Sequence, residues 1–257
     1  MENRSLINRI ALCLFLLWTV SIKADPEITV AAAASTVGTV EKIGQAFYQK
    51  TGVVVNIISG SSGKLTVQIL NGAPYDIFMA ADMNYPEVLY SKGKATAPPR
   101  KFAAGILVLW TKKEIPLESL SVLNSKEVRR IAIPNPELAP FGSEAVKVLR
   151  SGHLYDTVKD KLVYGSNVNQ TTQYIAHRAA DVGFVSLSKV LEYSHDDGTY
   201  LKIPESLSES VPHGIVVVKK QGDRSQAEAF YRFIFTKEGR DLLQSDGYLV
   251  ASENKKS

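Results

Sequence analysis

Four short segments place uncharged hydrogen-bond donors where an extended run gives way to a predicted helix. Serine, glycine and asparagine recur in them, and none contains a charged residue: Ala34-Ser35-Thr36, Ser59-Gly60-Ser61-Ser62-Gly63, Pro140-Phe141-Gly142-Ser143 and Ser166-Asn167-Val168-Asn169-Gln170. The first turn of a helix leaves backbone N–H groups unpaired and carries partial positive charge, so an oxyanion there meets donors without any cationic side chain. Serine hydroxyls add donors, and glycine lets the backbone approach closely. Together the four segments favour a binding site for a small oxyanion.

Each segment also has an ordinary structural explanation when it is taken alone. Serine and threonine are preferred helix N-cap residues and contribute about 1 kcal/mol there without a ligand. Nearby carboxylates fit structural roles better than ligand roles, because a carboxylate that faced an anion would repel it. Asp82 is therefore expected to cap the helix that contains Tyr85, and Asp76 is expected to be structural too.

A serine-dependent hydrolase is the main alternative from another functional class. Gly60-Ser61-Ser62-Gly63 is one residue short of the G-x-S-x-G nucleophile elbow, and Ser35 or Ser62 would need a neighbouring base. The four histidines lack H-E-x-x-H or similar metal-binding spacing. His195-Asp196-Asp197 could hold a metal, but a polar turn before Gly198 explains it better. The sequence favours neither an enzyme nor direct coordination of a metal.

The elements that must position the donor segments alternate between strands and helices. Short β-branched or apolar runs precede helix-like stretches, as in Ile28 to Ala33 before Val37 to Gln49, and Val53 to Ile58 before Leu65 to Leu70. Such alternation indicates βαβ units and a mostly parallel sheet. In an open α/β sheet the turns after the strands lie at the strands' carboxyl ends, where ligands usually bind.

Two lobes are predicted from the order of these elements. Residues 25–104 and 213–257 would form the first lobe and residues 105–212 the second. Pro98-Pro99 and Val211-Pro212-His213-Gly214 lie near the borders, where proline and glycine suit linkers. A chain that leaves one lobe, builds another and returns is consistent with a two-strand hinge.

Composition and the N-terminal residues indicate an exported, soluble protein. Of 257 residues, 45% are hydrophobic and 22% are charged, which is typical of a globular protein. Residues 1–24 are predicted to be a cleaved signal peptide, since a basic start precedes an apolar run, Ile10 to Val20, that is too short to span a bilayer. Half of the net charge of +4 comes from these residues, so the mature chain lacks the basic surface that binds nucleic acid. The only cysteine, Cys13, also lies there, which leaves the mature protein without disulfides.

The sequence resembles one known family over nearly all of the mature chain. The blocks that carry the resemblance are Thr29 to Ser35, Gly60 to Gly63, Gly72-Ala73-Pro74-Tyr75-Asp76-Ile77-Phe78-Met79-Ala80-Ala81-Asp82, Ile133 to Pro136, Ala139 to Gly142 and Ala180 to Ser186. They are similar to blocks in the periplasmic molybdate-binding proteins of ABC transporters. The resemblance implies a two-lobed type II periplasmic binding protein fold, α/β in class, with the ligand cleft between lobes whose mostly parallel sheets are flanked by helices.

The resemblance also implies a ligand, a partner and a set of contacts. The ligand would be molybdate or tungstate, bound without a cofactor by a periplasmic monomer that delivers it to the membrane permease of an ABC transporter. Ser35 and Ser62 would donate from the first lobe, with Ser61 as the register alternative to Ser62. Phe141 and Val168 would donate backbone N–H groups from the second lobe.

One position departs from the family pattern. Several family members have a tyrosine where the strand Gly183-Phe184-Val185 ends, whereas this chain has Ser186. Ser186 itself, Asn167, Asn169, Tyr164 or a water are the candidates for the missing contact. A receptor for another tetrahedral oxyanion, sulfate or phosphate, is the nearest alternative function.

Overall fold

The computed structural model describes residues 25–193 and 198–250, which fold into two five-stranded sheets flanked by helices. The predicted signal peptide and the His195-Asp196-Asp197 turn lie outside the described residues. Gly105 ends a strand of the first sheet and Leu107 begins a strand of the second. The chain returns to the first sheet at Val211.

The first sheet has the strand order β2-β1-β3-β10-β4. Its strands are β1 (Glu27–Ala33), β2 (Val54–Gly60), β3 (Ile77–Met79), β4 (Arg100–Gly105) and β10 (Val211–Val217). Its helices are α1 (Val37–Thr51), α2 (Ser62–Leu70), α3 (Asn84–Ser91), α8 (Ser225–Ile234) and α9 (Lys237–Ser245). Residues alternate between the two faces of a strand, so Val30 packs into the core on one side of this sheet while Ala31 packs into the core on the other.

The second sheet has the strand order β7-β6-β8-β5-β9. Its strands are β5 (Leu107–Thr111), β6 (Ile131–Pro134), β7 (Leu162–Gly165), β8 (Val182–Ser186) and β9 (Thr199–Lys202). Its helices are α4 (Pro140–Ser151), α5 (Tyr155–Val158), α6 (Val168–Ala176) and α7 (Leu187–Glu192), with 3-10 turns at Leu120–Asn124 and Lys159–Lys161. One continuous cluster of buried apolar side chains fills this lobe.

Strand direction follows the same pattern in both sheets. Each has two parallel and two antiparallel neighbouring pairs, and the strand that runs against the others is β10 in the first sheet and β5 in the second. These are the strands by which the chain enters each sheet from the other lobe. The two-lobed α/β fold predicted from the sequence is confirmed, although the sheets are mixed because of these entering strands.

The segment Val211 to Gly214 is part of a strand rather than a linker. Val211 pairs with Gly105 and Pro212 with Ala104, and the register shifts between His213 and Gly214. Proline lacks the N–H that a ladder needs and is tolerated near the start of a strand or beside such a bulge, and Pro212 lies at both. The sequence expectation failed because proline and glycine suit linkers and bulges alike.

Candidate functional site

The four donor segments meet at one cavity between the two lobes. Its wall consists of eleven neutral residues: Ala33, Ala34, Ser35, Gly60, Ser61, Ser62, Ala81, Ala139, Pro140, Phe141 and Val168. The volume of the cavity is about 10 Å³, about the space of one water molecule and far below the ~300 Å³ at which pockets for larger organic ligands begin. The cavity therefore suits a ligand of only a few atoms.

Ser35 presents a hydroxyl to this cavity that no protein group satisfies. The residue follows β1 and is 1% exposed. Its Oγ is one of three buried side-chain polar atoms that lack a hydrogen-bond partner within the described residues, the others being Ser125 Oγ and His213 Nε2. A buried hydroxyl without a partner costs about 1–3 kcal/mol. An anion in the cavity would remove this cost by accepting the Ser35 proton.

Ser62 is held so that its proton remains available. Its Oγ accepts a hydrogen bond of 3.0 Å from the Ala81 N–H, which uses a lone pair and leaves the hydroxyl proton free to donate. Ser61 is the N-cap of α2, and its Oγ accepts a weaker hydrogen bond of 3.4 Å from the Lys64 N–H. Both candidate serines lie in the cavity wall, and the shorter bond to Ser62 fixes the orientation of its hydroxyl better.

The second lobe brings the start of α4 to the cavity. Pro140 is the first helical residue and has no N–H, while the N–H groups of Gly142 and Ser143 both donate to the Ala139 carbonyl. The Phe141 N–H is the first-turn donor of α4 that these bonds do not use. Phe141 lies in the cavity wall, and its side chain is fully buried.

The start of α6 is arranged in the same way. The Asn167 side chain caps the helix by accepting from the Gln170 N–H at 3.0 Å, and the Thr171 N–H donates to the Asn167 carbonyl at 3.1 Å. The N–H groups of Val168 and Asn169 are the first-turn donors that these bonds do not use. Val168 lies in the cavity wall, whereas Asn167 and Asn169 do not.

Ser186 lies behind the wall instead of in it. Its Oγ is buried and lies 2.9 Å from Ser188 Oγ. Tyr164, another candidate for the contact, is 49% exposed on β7. The structure thus gathers Ser35, Ser61, Ser62, Phe141 and Val168, and leaves the other sequence-predicted candidates outside.

The nearby carboxylates have the structural roles expected of them. Asp82 accepts from the Tyr85 N–H at 3.1 Å, so its carboxylate binds a first-turn donor of α3, although the N-cap residue of that helix is Met83. Burial raises the pKa of Asp82 to about 6, against the opposing effect of the N–H groups of Tyr85 and Asn84. Asp76 pairs with Lys220 at 2.6 Å and accepts from the Thr29 N–H. Neither carboxylate lines the cavity.

Hydrogen bonds join the lobes around the cavity. The Gly63 N–H donates to the Leu138 carbonyl at 3.0 Å, and the Tyr85 hydroxyl donates to the Glu137 carbonyl at 3.1 Å. Behind the wall, the Ser188 hydroxyl of α7 and the Tyr248 hydroxyl both donate to the Ser35 carbonyl, at 3.0 Å and 2.7 Å. Sequence reasoning missed Ser188 and Tyr248, because both act on a backbone carbonyl and belong to no donor segment.

His213 connects the lobes through its ring. It lies on β10, is completely buried, and makes edge contacts with Phe102, Phe141 and Tyr248. Its Nδ1 lies 2.8 Å from the Val211 carbonyl. Burial lowers the pKa of His213 to about 4, so the ring is neutral near pH 7.

Two α/β lobes that enclose a small neutral cavity define the class of two-lobed solute-binding proteins. The same fold is found in the solved structure of the Azotobacter vinelandii periplasmic molybdate-binding protein, with a TM-score of 0.83 and 32% identity over 88% of this chain and 100% of that chain. The chain belongs to the family of bacterial extracellular solute-binding proteins, which matches residues 28–249.

Curated relatives are similar over most of their length. The chain is 33% identical to the molybdate-binding protein ModA of Azotobacter vinelandii over 225 residues, 86% of this chain and 89% of the relative. It is 30% identical to ModA of Rhodobacter capsulatus over 228 residues, 88% of this chain and 90% of the relative. The sulfate-binding protein SubI of Mycobacterium tuberculosis has a TM-score of 0.77 at 15% identity, which shows the common fold alone.

Two further findings concern the part of the chain that the structure describes. Within 25–193 and 198–250, no helix combines the length and the apolar character needed to cross a bilayer. Within the same residues, no three or more His, Cys, Asp or Glu side chains are grouped so that they could hold a metal ion.

Proposed function

We propose that this protein captures molybdate, or the similar oxyanion tungstate, in the cavity between its lobes. The observation that carries the proposal is a small, uncharged cavity whose wall unites serine hydroxyls from one lobe with helix N-termini from the other. The two ModA relatives, named as molybdate-binding proteins, support the choice of ligand. Ser35, Ser62, Phe141 and Val168 are the proposed donors, with Ser61 as an additional one.

Selectivity against phosphate follows from the donor set. A dianionic tetrahedral oxyanion has only acceptors, so a wall that presents donors can satisfy it. Hydrogen phosphate carries a proton of its own, which would face another donor and leave a buried group unsatisfied. That mismatch costs about 1–3 kcal/mol, enough for roughly a tenfold preference or more. Sulfate is unprotonated as well, so the size of the cavity must separate it from molybdate.

Binding between lobes provides a means of signalling occupancy. An anion gains all its donors only when residues 25–104 with 213–257 and residues 105–212, the two proposed lobes, approach each other. We propose that the permease of an ABC transporter recognises this closed form. The protein would act there as an exported periplasmic monomer after removal of residues 1–24, and no cofactor takes part.

A binding role fits the serines better than hydrolysis does. Ser35 Oγ has no side-chain partner, and Ser62 Oγ accepts from a backbone N–H. A nucleophilic serine needs an adjacent base to take its proton, and neither serine has a histidine or carboxylate within hydrogen-bond reach among the described contacts.

A thermal-shift panel tests the proposal. The mature protein is heated with molybdate, tungstate, sulfate, phosphate or chromate at equal ionic strength, because a ligand that binds only the folded state raises the melting temperature. We expect molybdate and tungstate to raise it and the others to have little effect. The variant that combines Ser35→Ala with Ser62→Ala is the control and should lose the shift.

Two outcomes would reject the proposed ligand. A shift with sulfate or phosphate alone would make the protein a receptor for that anion. The absence of a shift with every oxyanion would exclude the cavity as an oxyanion site.

A further inference from the structure

The carbonyl of Ser35 accepts hydrogen bonds from two side chains that do not line the cavity. The Tyr248 hydroxyl lies 2.7 Å from the Ser35 carbonyl oxygen, and the Ser188 hydroxyl lies 3.0 Å from it. All three residues are buried. The same residue therefore has its carbonyl fixed by two donors while its hydroxyl has no protein partner.

The Tyr248 hydroxyl has two acceptors within reach, the Ser35 carbonyl at 2.7 Å and Ser188 Oγ at 3.1 Å, and the shorter bond goes to the carbonyl. Each hydroxyl has one proton to donate. If Tyr248 and Ser188 both donate to the Ser35 carbonyl, Ser188 Oγ can accept from Ser186, which lies 2.9 Å away. Every hydroxyl then donates once along the path from Ser186 to Ser188 to the Ser35 carbonyl. In this arrangement the proton of Ser186 is used on Ser188, which agrees with the position of Ser186 outside the cavity wall.

Burial keeps the tyrosine a donor. It raises the pKa of Tyr248 well above the ordinary value, so the phenol keeps its proton at any pH the folded protein meets. Tyr248 follows α9 in the first lobe, and Ser188 lies on α7, which follows β8 of the second lobe. The Ser35 carbonyl is thus held from both lobes at once.

Building on the proposed function, we propose that Ser188 and Tyr248 are positioning residues for the anion site, because they hold the Ser35 peptide from behind and aim its hydroxyl into the cavity. A donor whose orientation is fixed in advance loses less freedom on binding and binds more tightly. Since Ser188 comes from the second lobe, the orientation of Ser35 is complete only when the lobes are together.

The experiment measures molybdate binding by titration calorimetry in Ser188→Ala and Tyr248→Phe, beside wild type and Ser35→Ala. We expect each positioning variant to bind about tenfold more weakly, the effect of one lost hydrogen bond. Tyr75→Phe and Ser91→Ala are the matched controls, since their hydroxyls bond to Gln68 and Val88, away from the cavity. Both controls should bind like wild type.

Double variants separate positioning from a general structural role. If Ser188 and Tyr248 act through Ser35, then adding Ser188→Ala or Tyr248→Phe to Ser35→Ala should weaken binding little beyond Ser35→Ala alone. Losses that multiply independently would overturn the inference. Melting temperatures without ligand identify any variant that fails to fold, and the remaining positioning variant then decides.

The results also distinguish this inference from the proposed function. Wild-type protein that binds molybdate, together with positioning variants at wild-type affinity, would overturn the positioning role and leave the function standing. Wild-type protein that binds neither molybdate nor tungstate would overturn both.

Discussion

The two lobes contribute to the same cavity by different chemical means. The first lobe supplies side-chain hydroxyls, from Ser35, Ser61 and Ser62, whereas the wall from the second lobe has only apolar side chains and offers backbone N–H groups, at Phe141 and Val168. A hydroxyl can be removed by many single substitutions, but a backbone donor is lost only if the residue becomes proline or the helix start moves. Substitutions can therefore change the donors of the first lobe readily, whereas the donors of the second lobe depend on the position of its backbone.

The strongest test of this difference between the lobes moves the backbone of the second lobe. A Cβ at Gly142 would come within 2.2 Å of the Pro134 carbonyl oxygen, so Gly142→Ala must displace the first turn of α4. We expect molybdate binding to weaken by more than about a hundredfold, because the Phe141 N–H moves with that turn and packing strain is added. Titration calorimetry measures the loss.

Gly152→Ala, at the other end of the same helix, is the control. Its new Cβ would have a nearest contact of 3.2 Å and should change affinity little. Wild-type affinity in Gly142→Ala would refute the idea that the α4 backbone supplies a donor.

A second test uses the residue that packs between the lobes. Burial gives His213 a folded pKa of about 4 against 6.5 for the free side chain, so the unfolded state binds more protons between these values. Stability is therefore full above pH 6.5 and falls as the pH drops toward 4, by on the order of 3 kcal/mol from this residue. Chemical denaturation at several pH values measures it.

The comparison variant for that test is His213→Leu, which cannot titrate. The raised pKa of Asp82 changes stability in the opposite direction between pH 3.8 and about 6, and it cancels when the two proteins are compared. The same pH dependence in both proteins would exclude His213 as its source.

Substitutions of Ser35 and Ser62 should have similar effects on ligand affinity and different effects on ligand-free stability. We expect Ser35→Ala and Ser62→Ala each to weaken molybdate binding by about 1–3 kcal/mol, because each removes a charge-assisted hydrogen bond. Ser62→Ala should also destabilise the ligand-free protein by about 1–3 kcal/mol, since the buried Ala81 N–H loses its acceptor. Ser35→Ala removes a buried hydroxyl that has no protein partner and should therefore raise ligand-free stability, by up to about 1–3 kcal/mol. Calorimetry and denaturation are measured on the same samples, and equal ligand-free losses in both variants would contradict this account.

The smallest effect is expected in the second lobe. Val168→Ala shortens a side chain in the wall but keeps its backbone N–H, so affinity should stay within about threefold of wild type, although the buried site loses about 1–2 kcal/mol of stability. A loss as large as that of Ser35→Ala in titration calorimetry would show that the side chains of the second lobe matter too.

Much of the fold could be predicted because the apolar patterns that indicate its strands and helices lie within short stretches of sequence. β1 and β8 are short apolar runs, and the sequence predicts the bounds of both strands to within a residue. β4, β7 and β9 were missed, since Arg100–Gly105, Leu162–Gly165 and Thr199–Lys202 are short and carry few β-branched residues. Their strand form comes from pairing with neighbours that are distant in sequence.

The residues of the site also fall into those that local sequence predicts and those that it does not. Helix starts can be recognised locally, which is why the sequence predicts segments that the structure gathers at one cavity. The partners of the Ser35 carbonyl lie 153 and 213 residues away along the chain, at Ser188 and Tyr248. Serine and tyrosine side chains have many possible uses, so nothing in their local sequence indicates this one.

The wall of the cavity contains no group that gains or loses a proton in the biological range of acidity. If hydrogen-bond donors and helix dipoles alone stabilise a bound anion there, then acidification of the surroundings does not change the charge of the wall or its donors. Capture would end only where the ligand itself is protonated or where protonation of His213 destabilises the fold. A receptor built in this way can scavenge its solute in a compartment whose acidity follows that of the outside world.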